Sequence, residues 1–323
     1  MKNTTLNIMK GLCMLLVVAG HTNCPFKNFI YLFHVPVFFM ISGYLFKNDY
    51  SLNHQNLCTL FKKRLCSLWI PYVVSNILLL LVSSITAAAG PLSFDINNLL
   101  IEVLKITFFC FEPTLGGASW FIGTLFFVTL IFAFSNYLTR NWNTKYQLLF
   151  QSFLSFSFIA LSFHAEIKLV LARVLTIYIL FFGGYFIKSQ HICADWRRAF
   201  FLGFVGLIIL ILTQRIEVDI ASITYPNPLI LVILSFSGWY FIYSVALLFE
   251  KNSISSYLLA YIGSHTLIIL LLHFTVFSMI NYIYPECPWW LKTILGVIIP
   301  LCIPAASKRL DYAPKKTDKS IIS

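Results

Sequence analysis

The chain has 323 residues, of which 59% are hydrophobic and only 11% charged, with a formal net charge of +11. A soluble domain carries about 25% charged residues, so a water-soluble fold is excluded and the bilayer is the solvent for most of the chain. The basic residues sit in short connections between apolar runs rather than on one face, which argues for membrane topology and against nucleic acid as a partner.

The apolar runs predict an all-α, polytopic integral membrane protein with about ten transmembrane helices. In chain order the helices cover approximately 5–22, 29–47, 66–89, 119–139, 146–163, 169–187, 198–214, 228–249, 256–282 and 289–306. The opening MKNTTLNIMKGLCMLLVVAG has the look of a secretory signal, but a second apolar run begins at Phe29, so the two form a membrane hairpin and no cleavage is expected. Segment 96–111 carries Glu102 and Lys105 and suits an interfacial or re-entrant helix better than a crossing. Residues 1–306 read as one membrane domain and 307–323 as a solvated tail.

An even number of crossings puts both termini on one side. With that side cytoplasmic, about 16 lysines and arginines fall inside and 6 outside, the bias that the positive-inside rule requires. The 8 cysteines show no CxxC or Cys/His spacing, so no metal is expected. Cys24, Cys110 and Cys287 can meet on one membrane face, although a buried cysteine is more often a small apolar filler.

Ionisable groups inside membrane helices cost about 2.5–3.5 kcal/mol on insertion scales, which makes each a functional candidate. Lys10 and His21 are eleven positions apart on the first helix, returning to within about 20° of one face and separated by roughly 16 Å along the axis. His34 lies near the outer entrance of the second helix, with Pro36 permitting a kink and Ser42 and Gly43 permitting close approach. The two histidines then face each other across a short hairpin. An imidazole is suited to take a proton from a hydroxyl, and a lysine held among helices to pair with a phosphate or polarise a carbonyl. The plainer alternatives are a snorkelling Lys10 and an interfacial His21 bonded to a carbonyl.

Lys10-x10-His21, followed by Phe33-His34-Val35-Pro36-Val37-Phe38-Phe39-Met40-Ile41-Ser42-Gly43-Tyr44, resembles the acyltransferase-3 family of membrane O-acyltransferases, in particular its fucose 4-O-acetylase-like branch. Arg64-Leu-Cys-Ser-Leu-Trp-Ile-Pro71-Tyr72, Ser119-Trp120-Phe121, and Gly263-Ser264-His265 with Leu272-His273 resemble later segments of the family in the same order. The resemblance implies a membrane acyltransferase domain in a bacterial inner (plasma) membrane. It implies acetyl-CoA as donor from the cytoplasm and a glycan or lipid-linked saccharide as acceptor, with His21 as base and Lys10 serving the donor. Asn7 stands where the family often carries Asp, which removes an ion pair one turn from Lys10.

Arg64, with Lys62 and Lys63, can bind a coenzyme A phosphate, although positive-inside bias explains the same cluster. Trp120 and Phe121 can stack on a sugar or belong to an interfacial aromatic belt. His273 can serve substrate or bond between helices. Glu102 and Glu112 are acids able to orient an imidazole. A transporter or flippase for a lipid-linked glycan is the alternative class, since it also places polar groups in helices above basic inner loops.

Overall fold

The computed structural model of the chain describes residues 3–88, 96–107, 118, 120–164, 169–192 and 195–311. Among these residues the protein is helices and connecting turns, apart from one isolated pair of facing extended residues, Asp219 and Thr224. Helix α1 (Asn3–Gly20) is followed by a short α2 (Lys27–Tyr31) and by α3 (His34–Tyr44). After a 3-10 turn, α4 (His54–Arg64) runs through a π-helical stretch (Leu65–Trp69) into α5 (Ile70–Ala88). Then come α6 (Ile96–Thr107), α7 (Trp120–Leu138), α8 (Thr144–His164), α9 (Leu169–Ser189) and α10 (Trp196–Leu212). The last four are α11 (Pro228–Glu250), α12 (Ser253–Ser264), α13 (Thr266–Ile283) and α14 (Trp289–Asp311).

Among the described residues, 6 helices are long and apolar enough to cross a membrane: Asn3–Gly20, His54–Leu81, Trp120–Leu138, Leu169–Ser189, Pro228–Glu250 and Thr266–Ile283. This makes the protein a multi-pass, all-helical membrane protein. Helix α6 has 12 residues, which extend only about 18 Å and fall short of a hydrocarbon core. Helix α14 runs on to Asp311, into the stretch read from sequence as tail.

Two of the expected continuous helices are broken. The 29–47 run splits because Pro36 has no N–H to offer the Leu32 carbonyl, and Phe33 leaves helical geometry at φ −145°, ψ −21°. The 256–282 run splits at His265. There the Tyr261 carbonyl accepts from Ser264 Oγ and approaches His265 Nδ1, both at 2.8 Å, and the His265 backbone N–H turns to Ile262 instead. Side chains thus compete with the helical ladder for its own acceptor. A third irregularity, the π turn at Leu65–Trp69, lies just before Pro71, which cannot donate to Ser67.

Two backbone-to-backbone crossings fix the helices that carry the site. A Cβ on Gly43 of α3 would lie 1.8 Å from the Phe181 carbonyl oxygen, and one on Gly184 of α9 would lie 1.7 Å from that of Met40. Likewise, a Cβ on Gly11 of α1 would lie 2.2 Å from the Leu259 carbonyl oxygen, and one on Gly263 of α12 would lie 1.8 Å from that of Asn7. Small residues draw helices together where lipid supplies no hydrophobic drive. A buried polar clamp adds to this: Gln151 of α8 donates to Ser135 Oγ of α7 at 2.9 Å, and Ser135 bonds Tyr178 of α9 at 2.8 Å.

Candidate active site

Helix α1 ends in a tight turn. The His21 N–H donates to the Val18 carbonyl and Thr22 Oγ1 to that of Ala19, which turns the His21 side chain off the helix. Gly20 lets the Tyr31 ring come close, since a Cβ there would lie 3.0 Å from it. The Tyr31 hydroxyl lies 3.5 Å from His21 Nδ1, at the long limit of a hydrogen bond.

His34 opens α3, and its Nδ1 lies 2.7 Å from the Ile30 carbonyl oxygen. His273, in the middle of α13, does the same with Ile269 at 2.9 Å. A carbonyl can only accept, so in both rings Nδ1 is the donor and, in the neutral form, Nε2 carries the lone pair. Among the described residues, His273 Nε2 is buried without a hydrogen-bond partner.

A chamber of about 190 Å³ lies beside these groups. His21, Tyr31 and His34 form one side, and Trp120 and Phe121 enter from α7. Leu270 and Phe274 enter from α13, and Val218 to Ala221 close the wall. Asp219 is the single charged side chain lining the chamber among the described residues. His273 is not on the wall. It sits behind His21, with ring centroids 5.5 Å apart.

A second cavity, of about 140 Å³, lies against the first. It is lined by Lys10, Ser42, Leu68 and Thr266, and it shares Met14, Phe38, Phe121 and Leu270 with the histidine chamber. Lys10 and His21 therefore look into adjacent spaces divided by an apolar waist. Among the described residues no hydrogen bond or ion pair holds the Lys10 ammonium. Lys63 and Arg64 line neither cavity, but Leu68, four residues beyond Arg64, is in the wall beside Lys10. The Arg64 Nε is buried without a partner among the described residues, and Lys63 donates to the Tyr50 hydroxyl at 3.1 Å.

The family model of an acyltransferase domain, type 3, matches residues 3–308. The chain belongs to the acyltransferase-3 family. No curated protein and no solved structure gives a match. The match spans the residues of both cavities, and membership makes the protein a membrane acyltransferase.

Sequence reasoning passed over three members of the site. Tyr31 lay within the apolar 29–47 run with nothing to set it apart from the other aromatic residues there, and Asp219 falls in the connection between the 198–214 and 228–249 runs. Arg173 was counted as a topology charge, yet it is 2% exposed inside α9. Its Nε donates to the Ala221 carbonyl at 2.6 Å and its guanidinium lies 5.4 Å from the Trp120 ring. An arginine within an apolar run was itself the available signal. Of the acids weighed for orienting an imidazole, Glu112 and the Glu102 side chain lie outside the described residues. Cys24 and Cys287 are free thiols, and Cys110 lies outside the described residues.

Proposed function

We propose that the protein is an O-acetyltransferase that moves acetyl from acetyl-CoA to a hydroxyl of a cell-surface glycan or of its lipid-linked precursor. The observation that carries this reading is the shared waist. Met14, Phe38, Phe121 and Leu270 line both the Lys10 cavity and the histidine chamber, so a slim acyl-bearing arm entering beside the cation has one apolar barrier to pass before it meets the base.

The donor side suits an anionic coenzyme. Lys10 has no partner among the described residues, and Arg64 keeps a buried N–H in reserve. Arginine and lysine in such surroundings pair with phosphates. On this reading the chain crosses the bacterial inner membrane about ten times with both termini in the cytoplasm, so that coenzyme A binds from inside and the saccharide approaches His21 from outside.

In the transfer itself, His21 takes the proton of the acceptor hydroxyl as its oxygen attacks the thioester carbonyl. It then returns that proton to the departing sulfur, so an ester and free coenzyme A result and the imidazole ends neutral. His34, whose bare Nε2 belongs to the same chamber, and Tyr31 orient the reacting groups. Trp120 offers a face to the sugar ring.

The test compares cell-surface glycan by mass spectrometry and NMR with and without the gene, then with His21→Ala and Lys10→Ala at matched expression. Gene-dependent ester-linked acetyl that disappears in both variants supports the reading. A glycan lacking any ester while the lipid-linked precursor accumulates in the deletion strain points instead to a conduit for that precursor. Acetylation that survives His21→Ala rejects the assigned base.

A further inference from the structure

The hairpin between α10 and α11 is built to hold one carboxylate in the chamber. Asp219 and Thr224 face each other and exchange backbone hydrogen bonds of 2.7 and 2.8 Å. Ile223, at the tip, has φ +58°, a left-handed conformation that a β-branched residue adopts only when its surroundings over-determine it. Those surroundings are visible: Val218 and Ile220 are each 3% exposed, Arg173 grips the Ala221 carbonyl, and Tyr225 bonds Thr176 at 3.0 Å. The loop is thus anchored on both sides of Asp219.

The carboxylate is aimed as well as anchored. One oxygen accepts the Ala221 N–H at 2.9 Å and the other the Ser222 hydroxyl at 3.0 Å. A carboxylate has about four acceptor positions, so lone pairs remain for a guest. No ion pair neutralises Asp219 among the described residues. Closing an apolar, aromatic-walled space over such a charge is costly unless hydroxyls donate to it.

We propose that Asp219 forms an acceptor subsite that binds hydroxyls next to the one being acylated, and that it thereby selects neutral polyols over monohydric alcohols and over anionic saccharides. A monohydric acceptor has its single O–H committed to His21 and nothing left for Asp219. An acidic sugar brings like charge to the one charged wall residue among those described. This inference rests on the O-acetyltransferase reading above.

The experiment uses the full chain in nanodiscs with radiolabelled acetyl-CoA, a panel of neutral methyl hexopyranosides, a methyl hexuronide and 1-octanol. Asp219→Asn keeps the oxygen that accepts from Ala221 and removes the charge, so the hairpin is retained, and a melting curve checks this. The expected result is a rise in acceptor KM of about ten- to hundredfold, the worth of a hydrogen bond to a charged group. The KM for 1-octanol rises by less than that for the glycosides, and Asp219→Glu recovers part of the loss. An unchanged glycoside KM, an equal rise in the KM for 1-octanol, or wild-type preference for 1-octanol or the hexuronide overturns the subsite. Wild-type protein that neither releases coenzyme A nor esterifies any acceptor overturns the transferase reading, and the subsite with it.

Discussion

The imidazoles of His21 and His273 lie with ring centroids 5.5 Å apart and planes inclined by 34°, yet only His21 reaches the chamber. His273 donates from Nδ1 to Ile269 and holds a bare Nε2 in the protein interior. That nitrogen can receive an N–H from His21 once His21 has taken a proton. We predict a graded pair of defects. His21→Ala lowers kcat by about 10²–10⁴-fold, the usual worth of a general base. His273→Ala lowers kcat by about tenfold, the worth of one hydrogen bond to a charged group, with both KM values nearly unchanged and the pH–rate profile shifted. Equal defects in the two variants would place His273 in the chemistry itself, and a full-rate His273→Ala would remove it from any role.

Lys10 offers a test that separates function from architecture. A lysine held between helices without a partner costs stability through desolvation and is retained for another reason. Replacing it by methionine, which has similar length, should leave the melting temperature of the detergent-solubilised protein the same or higher. The KM for acetyl-CoA should rise by about tenfold or more, in line with one lost charge-assisted phosphate contact. A fall in melting temperature with unaltered donor KM would mark Lys10 as structural.

The α3–α9 crossing leaves no room for a side chain. Gly43→Ala and Gly184→Ala each set a carbon within 2 Å of a carbonyl oxygen on the facing helix, an overlap that neither backbone can relieve without sliding. Overpacking of this kind costs about 1–3 kcal/mol or more. Size-exclusion chromatography of a fluorescent fusion should show aggregated or absent protein for both. Gly183→Ala, on the same helix but facing a Phe236 ring carbon at 3.3 Å rather than a carbonyl, serves as the expression control. Normal elution of both crossing variants would mean that α3 and α9 can slide apart far enough to admit a methyl group.

Much of the site was legible because membrane sequences make polar residues conspicuous. Lys10, His21 and His34 stand out in apolar runs, and hydropathy alone found the runs. What failed was continuity. The break at His265 depends on two side chains claiming the Tyr261 carbonyl, and hydropathy cannot see that competition. Asp219 was invisible for a different reason: its importance comes from a hairpin folded back into the bundle, and acids in connections are ordinarily solvated. His273 was visible as a buried histidine, but its place behind His21 rather than on the wall follows from how α13 packs against α1.

The waist between the cavities should set the length of the acyl group. Phe38 and Phe121 are the rings common to both cavities; they meet edge to face at 5.7 Å, and Phe39, next to Phe38 on α3, has its ring centroid 4.3 Å from that of Phe121. Two neighbouring α3 rings therefore clamp Phe121 against that helix and oppose its swinging aside. A chain longer than acetyl must displace it to bring its carbonyl to His21 while leaving the coenzyme beside Lys10. Replacing Phe121 by alanine opens that passage, and one methylene in an apolar pocket is worth about 10–200-fold in discrimination. The ratio of kcat/KM for butyryl-CoA to that for acetyl-CoA should rise by at least about tenfold in Phe121→Ala. Phe39→Ala, which loosens the clamp without touching the shared wall, should shift the ratio in the same direction by less. If both variants slow the two donors equally, the length limit lies elsewhere in the path.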